Sequence, residues 1–213
     1  MPCILQLKTL LFGPKRRWKI CMVVDDKNKF IFVCIAKCAS TSIRRRFGFF
    51  DDPPPEVYHM FLRDILIKRP DAKDYFKFAF VRNPYDRLYS TYINFKYDAG
   101  HFWAKPSILP KKTFKHFVMD FKDSEYSNFI HLQPQVNYLT VDNKIDLNFI
   151  GRMENLKEDF MKIEGELGIT HKELGRERAS IRVHYDPKTY DREMREMVFS
   201  IYENDFKEFG YEW

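Results

Sequence analysis

The sequence predicts an α/β fold in which a central, largely parallel sheet is flanked by helices in three layers. Two runs, at 30–35 and 76–81, are apolar at nearly every position, which is typical of strands buried on both faces of a sheet. Each run is followed by a polar loop and a helical segment, and such alternation of strands and helices produces parallel sheets. A chain of 213 residues is long enough for a sizeable core, so we expect one domain spanning 1–213.

Before the first buried strand, residues 18–24 have the composition of another strand. The polar turn DDKNK separates this segment from 30–35, so the two strands are expected to form a hairpin or to lie side by side.

The loop after 30–35 begins with AKCASTS and has the composition of a phosphate-binding loop. Its small residues let the backbone approach a phosphate closely, while Lys37 supplies positive charge. The hydroxyls of Ser40, Thr41 and Ser42 can cap the following helix and donate hydrogen bonds. The loop is not a Walker A motif, because the pattern GxxxxGK[ST] is absent. The alternative is an ordinary capped helix with one solvated lysine.

A helix is expected at 58–68, with His59 at its start. Its partly buried positions are Met60, Phe61, Ile65 and Ile67. The positive end of a helix disfavours a protonated imidazole, so His59 is a candidate neutral base. The alternative is a capping or packing histidine.

The strand at 76–81 ends at Arg82, and the next residues favour the start of a helix. Asn83 can cap it and Pro84 suits its first position. Helical spacing predicts that one face carries Asn83, Asp86, Arg87 and Ser90. A guanidinium and a hydroxyl at a helix start form a candidate anion site, and the alternative is a buried strand followed by an ordinary capped helix.

The rest of the chain contains three helices, one strand and one loop in our prediction. The helices are at 113–121, with Thr113 as its cap, at 154–167, and at 187–209; the strand is at 148–151. Residues 131–138 contain a proline among polar side chains and are predicted to be an irregular loop near the surface. The buried stripe of the second helix is Leu156, Phe160, Ile163 and Leu167, and that of the third is Met194, Met197, Val198, Ile201, Tyr202 and Phe206.

Positive charge is concentrated near the N-terminus. Residues 1–50 contain eleven Lys or Arg and two Asp, whereas the whole chain has a net charge of +6. This asymmetry indicates an anionic partner, which could be a phosphate-bearing cofactor, an acidic polymer, nucleic acid or a lipid surface.

The N-terminus and the cysteines bear on where the protein is located. The apolar stretch at the N-terminus is too short to span a bilayer and lacks the features of a signal peptide, so we expect a soluble, cytoplasmic protein. A peripheral membrane contact stays open. Cys3, Cys21, Cys34 and Cys38 form no CxxC pair, which argues against a disulfide framework or a zinc site.

In open parallel sheets, ligands bind beyond the carboxyl ends of the strands. The loop at 37–42 and the segment 82–90 follow two such ends. We therefore expect them to share one edge of the sheet and to bind a cofactor with two separated anionic groups.

The sequences of these two loops resemble those of the sulfotransferases that use 3′-phosphoadenosine 5′-phosphosulfate (PAPS). Among these enzymes, the chain resembles the carbohydrate sulfotransferases and their smaller bacterial relatives. The family's 5′-phosphosulfate loop, PKxG[ST][ST], corresponds here to Ala36-Lys37-Cys38-Ala39-Ser40-Thr41-Ser42. Its 3′-phosphate motif corresponds to Arg82 through Ser90, within RNPYDRLYSTY. Later similar blocks are HLQPQ, FIGRMENLKEDF and the C-terminal segment, so the resemblance covers most of the chain from 30 to 211. Ala36 and Ala39 depart from the usual Pro and Gly.

The resemblance implies a P-loop-like fold over 1–213 and a sulfotransferase that forms PAP (3′-phosphoadenosine 5′-phosphate) and sulfates a carbohydrate hydroxyl without a metal. It implies that Lys37 stabilises the leaving group, and that Arg82 and Ser90 hold the 3′-phosphate. The 5′-phosphate would be held by residues Lys37, Cys38, Ala39, Ser40, Thr41 and Ser42. His59 is the expected base, and His131 or a carboxylate such as Asp64 is the alternative. Adenine contacts are expected around 176–185.

Two other functions stay open at this point. One is another phosphate-handling transferase, such as a small kinase, although no Walker A sequence or obvious magnesium-binding acidic pair is present. The other is a non-catalytic binder of acidic polymer, which would use the basic N-terminal region. Under the leading interpretation no nucleic-acid partner is expected, and the oligomeric state is not predicted.

Overall fold

The computed structural model describes residues 23–49, 59–97, 113–121, 124, 127–175 and 185–213. Its strands are β1 (Val23–Asp25), β2 (Phe30–Val33), β3 (Phe76–Val81), β4 (Thr140–Val141), β5 (Lys144–Ile145) and β6 (Phe149–Arg152). Its α-helices are α1 (Ser40–Arg46), α2 (Leu62–Lys68), α3 (Pro84–Tyr97), α4 (Phe114–Met119), α5 (Gln135–Leu139), α6 (Leu156–Glu166) and α7 (Arg192–Phe209).

The central sheet has the strand order β1-β2-β3-β6. The strands β2, β3 and β6 are parallel, and β1 is antiparallel to β2. Helices flank this sheet, so the predicted α/β class with a largely parallel sheet is confirmed. The strands β4 and β5 form a separate antiparallel pair that was not predicted. Among the described helices, none is long and apolar enough to span a bilayer.

The predicted hairpin is present as β1 and β2. The carboxylate of Asp25 accepts hydrogen bonds of 2.8 Å from the backbone N–H groups of Lys27 and Asn28, which holds the turn. The predicted residues 18–22 lie outside the described residues. The strand β2 ends at Val33 rather than at 35, and the chain then enters the loop that follows it.

The core contains the sheet and the helices packed on it. All four residues of β2 are buried, and the rings of Phe32 and Phe78 on neighbouring strands stack with centroids 5.0 Å apart. The predicted amphipathic helix is present as α6, which buries Phe160 and Ile163 against this core. A second buried cluster joins α3, α4 and α7.

The predicted helix at 187–209 is divided. Residues Pro187–Thr189 form a 3₁₀ turn, and α7 begins only after Asp191, whose side chain accepts a 2.9 Å hydrogen bond from the N–H of Met194. The cap of α4 was predicted correctly, because the Thr113 hydroxyl accepts a hydrogen bond from the N–H of His116.

The helix predicted at 58–68 begins at Leu62 instead, and one of its predicted buried positions is wrong. Leu62 and Ile65 are buried, whereas 77% of Ile67 is exposed. Each helical residue turns the chain by about 100°, so Ile67, five residues after Leu62, lies about 140° around the axis from it. Ile67 is therefore well away from the buried face.

The prediction of an irregular surface loop at 131–138 is also wrong. The segment contains a 3₁₀ turn at Ile130–Leu132 and the helix α5, and it buries His131, Leu132, Gln135 and Tyr138. A distant side chain stabilises this helix: the two carboxylate oxygens of Asp205 accept hydrogen bonds of 2.8 and 2.9 Å from the N–H groups of Gln135 and Val136.

Candidate functional site

The loops that follow β2 and β3 lie side by side, because these strands are parallel neighbours. We call residues 34–39 the β2 loop and residues 82–83 the β3 loop. The Nη1 atom of Arg82 donates a hydrogen bond of 3.2 Å to the backbone oxygen of Lys37, which joins the two loops directly. The structure thus brings together the two predicted anion-binding segments at the carboxyl ends of their strands.

Four consecutive backbone carbonyls in the β2 loop are held by donors from the surrounding protein. The donors are His59 Nδ1 to Cys34 (2.6 Å), Ser40 Oγ to Ile35 (2.6 Å), Arg87 Nε to Ala36 (3.1 Å) and Arg82 Nη1 to Lys37 (3.2 Å). A trans peptide directs its C=O and N–H groups to opposite sides. Anchoring the carbonyls therefore also fixes the directions of the N–H groups, as an anion-binding loop requires.

The β2 loop contains two residues in left-handed backbone conformations. The φ angles are 67° at Lys37 and 55° at Ala39, which is the residue before the first turn of α1. Ala39 occupies the position at which the family that the chain resembles usually has Gly. This position adopts the left-handed backbone conformation that glycine favours. Strained backbone of this kind is common in ligand-binding loops.

The predicted capping of α1 by hydroxyls is wrong. The cap position is Ala39, which makes no side-chain cap, and the Ser40 hydroxyl closes the β2 loop by donating to Ile35. Ser40 and Cys38 are buried, whereas Thr41 and Ser42 are half-buried in the first turn of α1. Burial raises the pKa of the Cys38 thiol to about 12, so its side chain stays protonated and acts as packing.

Arg82 is oriented by two groups. Its Nε and Nη2 atoms form a bidentate pair with the carboxylate of Asp86 at 2.7 and 2.9 Å, and its Nη1 contacts Lys37. A guanidinium has five N–H groups, so two of them have no acceptor in the part of the chain that the structure describes. The Ser90 hydroxyl, one helical turn beyond Asp86, likewise has no hydrogen-bond partner within the described ranges.

The start of α3 agrees with the prediction. The Asn83 side chain accepts a 2.9 Å hydrogen bond from the N–H of Tyr85, and Pro84 is the first helical residue. Asn83 also donates its own N–H to the carboxylate of Glu154, 2.9 Å away. These contacts fix the direction in which the chain leaves β3.

Arg87 was predicted to line one face of the helix with Asn83, Asp86 and Ser90, but its side chain is buried away from the candidate anion site. Only 2% of it is exposed, and its guanidinium donates to the backbone oxygens of Ala36, His131 and Gln133. Arg87 therefore ties the β2 loop to the turn at 131–133. The spacing along α3 contains a signal for this burial that we missed. Thr91 and Phe95, four and eight residues after Arg87, lie on the same side of the helix and are also buried.

Two of the three candidate bases are neighbours. His59 and His131 are both buried, and their rings make an edge-on contact with centroids 5.0 Å apart. Burial lowers the pKa of His59 to about 3, and the positive charges of Arg44, Arg87 and Lys37 act in the same direction. The predicted direction is therefore right, but its main cause is burial rather than the helix end, since α2 begins three residues later.

The hydrogen bond of His59 determines its tautomer. A carbonyl oxygen can only accept, so the Nδ1 atom that contacts Cys34 carries a hydrogen, and in the neutral ring the lone pair is on Nε2. This arrangement leaves Nε2 as the basic atom of the imidazole.

A cleft of about 300 Å³ adjoins His59. Its lining includes the aromatic ring of Phe61, the aliphatic side chains of Ile67 and Ile130, and the charged side chains of Asp64 and Lys68. Asp64, the third candidate base, therefore lies on the same cleft as His59. An apolar surface with a few polar groups is typical of a small-molecule site.

Other predicted contacts fall outside these elements. Residues 176–184, where adenine contacts were expected, are not among the described residues, whereas Tyr185 is described and its ring lies 5.9 Å from that of Tyr190. Across the described ranges, no group of three or more His, Cys, Asp or Glu side chains has an arrangement that could hold a metal ion.

Comparison with known proteins gives one family. The sequence profile of a family described as the sulfotransferase family matches residues 21–212. Carbohydrate sulfotransferase 12 of Mus musculus is 25% identical over 253 aligned residues, which cover 89% of the chain and 59% of the relative. Carbohydrate sulfotransferase 10 of Xenopus laevis is 25% identical over 237 residues, which cover 88% and 66% respectively. The chain thus spans less than two thirds of the length of each of these curated relatives. No solved structure matches it significantly.

Proposed function

From the premise that the chain belongs to the sulfotransferase family, we propose that it transfers a sulfuryl group from PAPS to a hydroxyl group of a carbohydrate. The acceptor class follows the names of the two relatives, both carbohydrate sulfotransferases. The structural observation that carries the proposal is the contact between Arg82 and Lys37, which joins two cation-bearing loops at the carboxyl ends of β2 and β3.

The residues present fit a donor with anionic groups at both ends. The β2 loop has its carbonyls anchored and carries Lys37, while the buried Arg87 and Arg44 add positive charge behind it. The β3 loop contains the guanidinium of Arg82, and the two N–H groups that have no acceptor in the described part of the chain can donate hydrogen bonds to a phosphate. Ser90 adds a hydroxyl on the Asp86 side of α3. We assign the 5′-phosphosulfate to the β2 loop and the 3′-phosphate to Arg82 and Ser90.

In the proposed reaction the donor supplies an activated sulfuryl group. The S–O bond to the 5′-phosphate breaks, a new S–O bond forms to the acceptor oxygen, and PAP leaves. Lys37 stabilises the negative charge that grows on the phosphate oxygen, and the loop N–H groups hold that phosphate. The proton of the acceptor hydroxyl passes to a base.

His59 is the base that the geometry favours. Its Nε2 lone pair is fixed by the hydrogen bond from Nδ1 to Cys34, and the cleft beside it gives an acceptor a path to the imidazole. A pKa of about 3 makes a weak base, and burial is its main cause, with smaller contributions from the charges of Arg44, Arg87 and Lys37. A bound phosphosulfate would offset these charges and so raise the pKa of His59 above this value.

The decisive experiment is ligand binding followed by transfer. We expect PAP to raise the thermal unfolding temperature of the protein without Mg²⁺, because a ligand that binds only the folded state stabilises it. We also expect ³⁵S-labelled PAPS to transfer label to a carbohydrate acceptor, and His59→Ala to lose this transfer while PAP binding persists.

Two results would overturn the proposal or part of it. No stabilisation at saturating PAP, together with stabilisation by ATP and Mg²⁺, would indicate a kinase-like protein instead. Normal transfer by the His59→Ala variant would show that the base is another residue, and His131→Ala and Asp64→Asn are then the variants to compare.

A further inference from the structure

The side chain of Gln135 connects the β2 loop and the β3 loop inside the protein, where it is completely buried. Its Oε1 atom accepts a 2.9 Å hydrogen bond from the N–H of Arg82, and its Nε2 atom donates a 2.9 Å hydrogen bond to the backbone oxygen of Arg82. The same Oε1 atom lies 3.5 Å from the sulfur of Cys38. One amide group therefore contacts the β3 loop twice and the β2 loop once.

These contacts leave the amide a single orientation. The backbone N–H of Arg82 can only donate and its carbonyl can only accept, so exchanging the oxygen and nitrogen of Gln135 would break both hydrogen bonds. The amide thus pairs with Arg82 as a neighbouring strand would, at the point where β3 has ended.

Gln135 is itself held in place from a third direction. Its backbone N–H donates to the carboxylate of Asp205 at 2.8 Å, and Asp205 is completely buried in α7. The position of the amide is therefore set by α5 and α7, which belong to neither loop.

We propose that Gln135 is a positioning residue that sets the distance between the two loops, and so selects donors that carry phosphate groups at both the 5′ and 3′ positions. This inference rests on the proposed function. A ligand with two anionic groups gains affinity only when both sites are correctly spaced, because the second contact is then intramolecular. A ligand with one phosphate needs only one loop, so a change in spacing affects it much less.

The contact between Arg82 and Lys37 does not make Gln135 redundant. That contact lies at the rim of the site, where 21% of the Arg82 side chain is exposed. The guanidinium there is also expected to bind the ligand, whereas Gln135 has no exposed surface and acts only through the loops.

The test is to compare three ligands by calorimetry: PAP, adenosine 5′-phosphate and adenosine 3′-phosphate. In Gln135→Ala we expect PAP to bind roughly tenfold or more weakly, and each monophosphate to lose less than about threefold. The matched control is Gln133→Ala, two residues away, whose side-chain amide donates to Ser127 rather than to either loop. The control should keep the wild-type affinities for all three ligands.

A second variant covers the case in which Gln135→Ala does not fold. In Gln135→Glu, an ionised carboxylate would repel the Arg82 carbonyl, whereas the protonated acid can donate to it as the amide does. We therefore expect the PAP affinity of this variant, relative to the wild type at the same pH, to recover as the pH is lowered.

The outcomes separate the inference from the proposed function. If the wild type does not bind PAP, the proposed function fails. If the wild type binds PAP but the foldable variants keep its affinity, or lose affinity for all three ligands by the same factor, only the positioning role of Gln135 is overturned.

Discussion

The ring of Phe80 in β3 covers the backbone of Gly151, its partner in the neighbouring strand β6. A Cβ atom built on Gly151 would lie 2.4 Å from Cε1 of Phe80, which is closer than two carbon atoms can approach. Gly151 is therefore required by packing: it lets a completely buried aromatic ring pack directly against the backbone of the adjacent strand.

We expect Gly151→Ala to destabilise the protein by about 1–3 kcal/mol, because the added methyl group must displace Phe80 within a packed core. The measurement is the free energy of unfolding from a denaturant titration. The matched control is Gly165→Ala in α6, where an added Cβ meets nothing within 4 Å. This control should stabilise by roughly 0.5–1 kcal/mol through helix propensity. Equal effects of the two substitutions would contradict the packing role of Gly151.

The buried state of His59 predicts a pH dependence of stability. The unfolded chain protonates this histidine near its ordinary pKa of 6.5, whereas the folded protein resists protonation down to about 3. Between these values the unfolded state binds more protons, so stability falls as the pH is lowered from about 6.5 toward 3.

The variant His59→Asn isolates this contribution, because an Asn amide can still donate a hydrogen bond to the Cys34 carbonyl. We expect its unfolding temperature to fall less steeply than that of the wild type over the same pH range. Unfolding followed by circular dichroism at several pH values measures both slopes. Parallel curves for the two proteins would contradict the depressed pKa of His59.

The left-handed conformation of Ala39 predicts a stabilising substitution in the β2 loop. A residue with a Cβ atom costs about 1–2 kcal/mol in this conformation, and Gly avoids the cost but loses more backbone entropy on folding. We therefore expect Ala39→Gly to stabilise by about 0.5–1 kcal/mol, measured by denaturant titration. Ala36→Gly is the control in the same loop, because Ala36 is not among the residues with positive φ and should lose stability instead. Destabilisation by both substitutions would argue against strain at Ala39.

Features governed by neighbouring residues could be predicted from the sequence. The strand β3 has the predicted bounds, because six consecutive residues of suitable composition are followed at once by a cap and a proline. The start of α3 at Pro84 follows from the same local rules. The two loops were also expected at the same edge of the sheet, and they lie side by side because β2 and β3 are parallel and adjacent.

Features governed by distant residues could not be predicted. The helix α5 depends on Asp205, which lies 70 positions after Gln135 along the chain. The contacts of Gln135 with the two loops depend in turn on that helix, so nothing near Gln135 in the sequence indicates its role. Ile67 was misplaced for a smaller reason: it lies about 200° around the helix axis from Ile65, so the two side chains cannot share one buried face.

The geometry of Arg82 predicts which part of the donor it recognises. Lysine has a single ammonium group and cannot pair with Asp86 through two nitrogens while also reaching Lys37 and a phosphate. We expect Arg82→Lys to weaken PAP binding by about tenfold or more, since a charge-assisted pair contributes roughly 1.5–3 kcal/mol. Affinity for adenosine 5′-phosphate, which lacks the 3′-phosphate, should change little.

The matched control for this prediction is Arg69→Lys. Arg69 also forms a bidentate pair with a carboxylate, that of Asp71. It lies beside the β1–β2 turn, where it contacts Asp26. This turn is at the opposite end of β2 from the proposed site. Calorimetric titration of both variants with PAP and adenosine 5′-phosphate should show a loss only for Arg82→Lys with PAP. If that variant lost affinity for both nucleotides equally, Arg82 would be acting on the shape of the β2 loop through Lys37 rather than on the 3′-phosphate. The ratio of the two affinities therefore decides between direct recognition and support of the neighbouring loop.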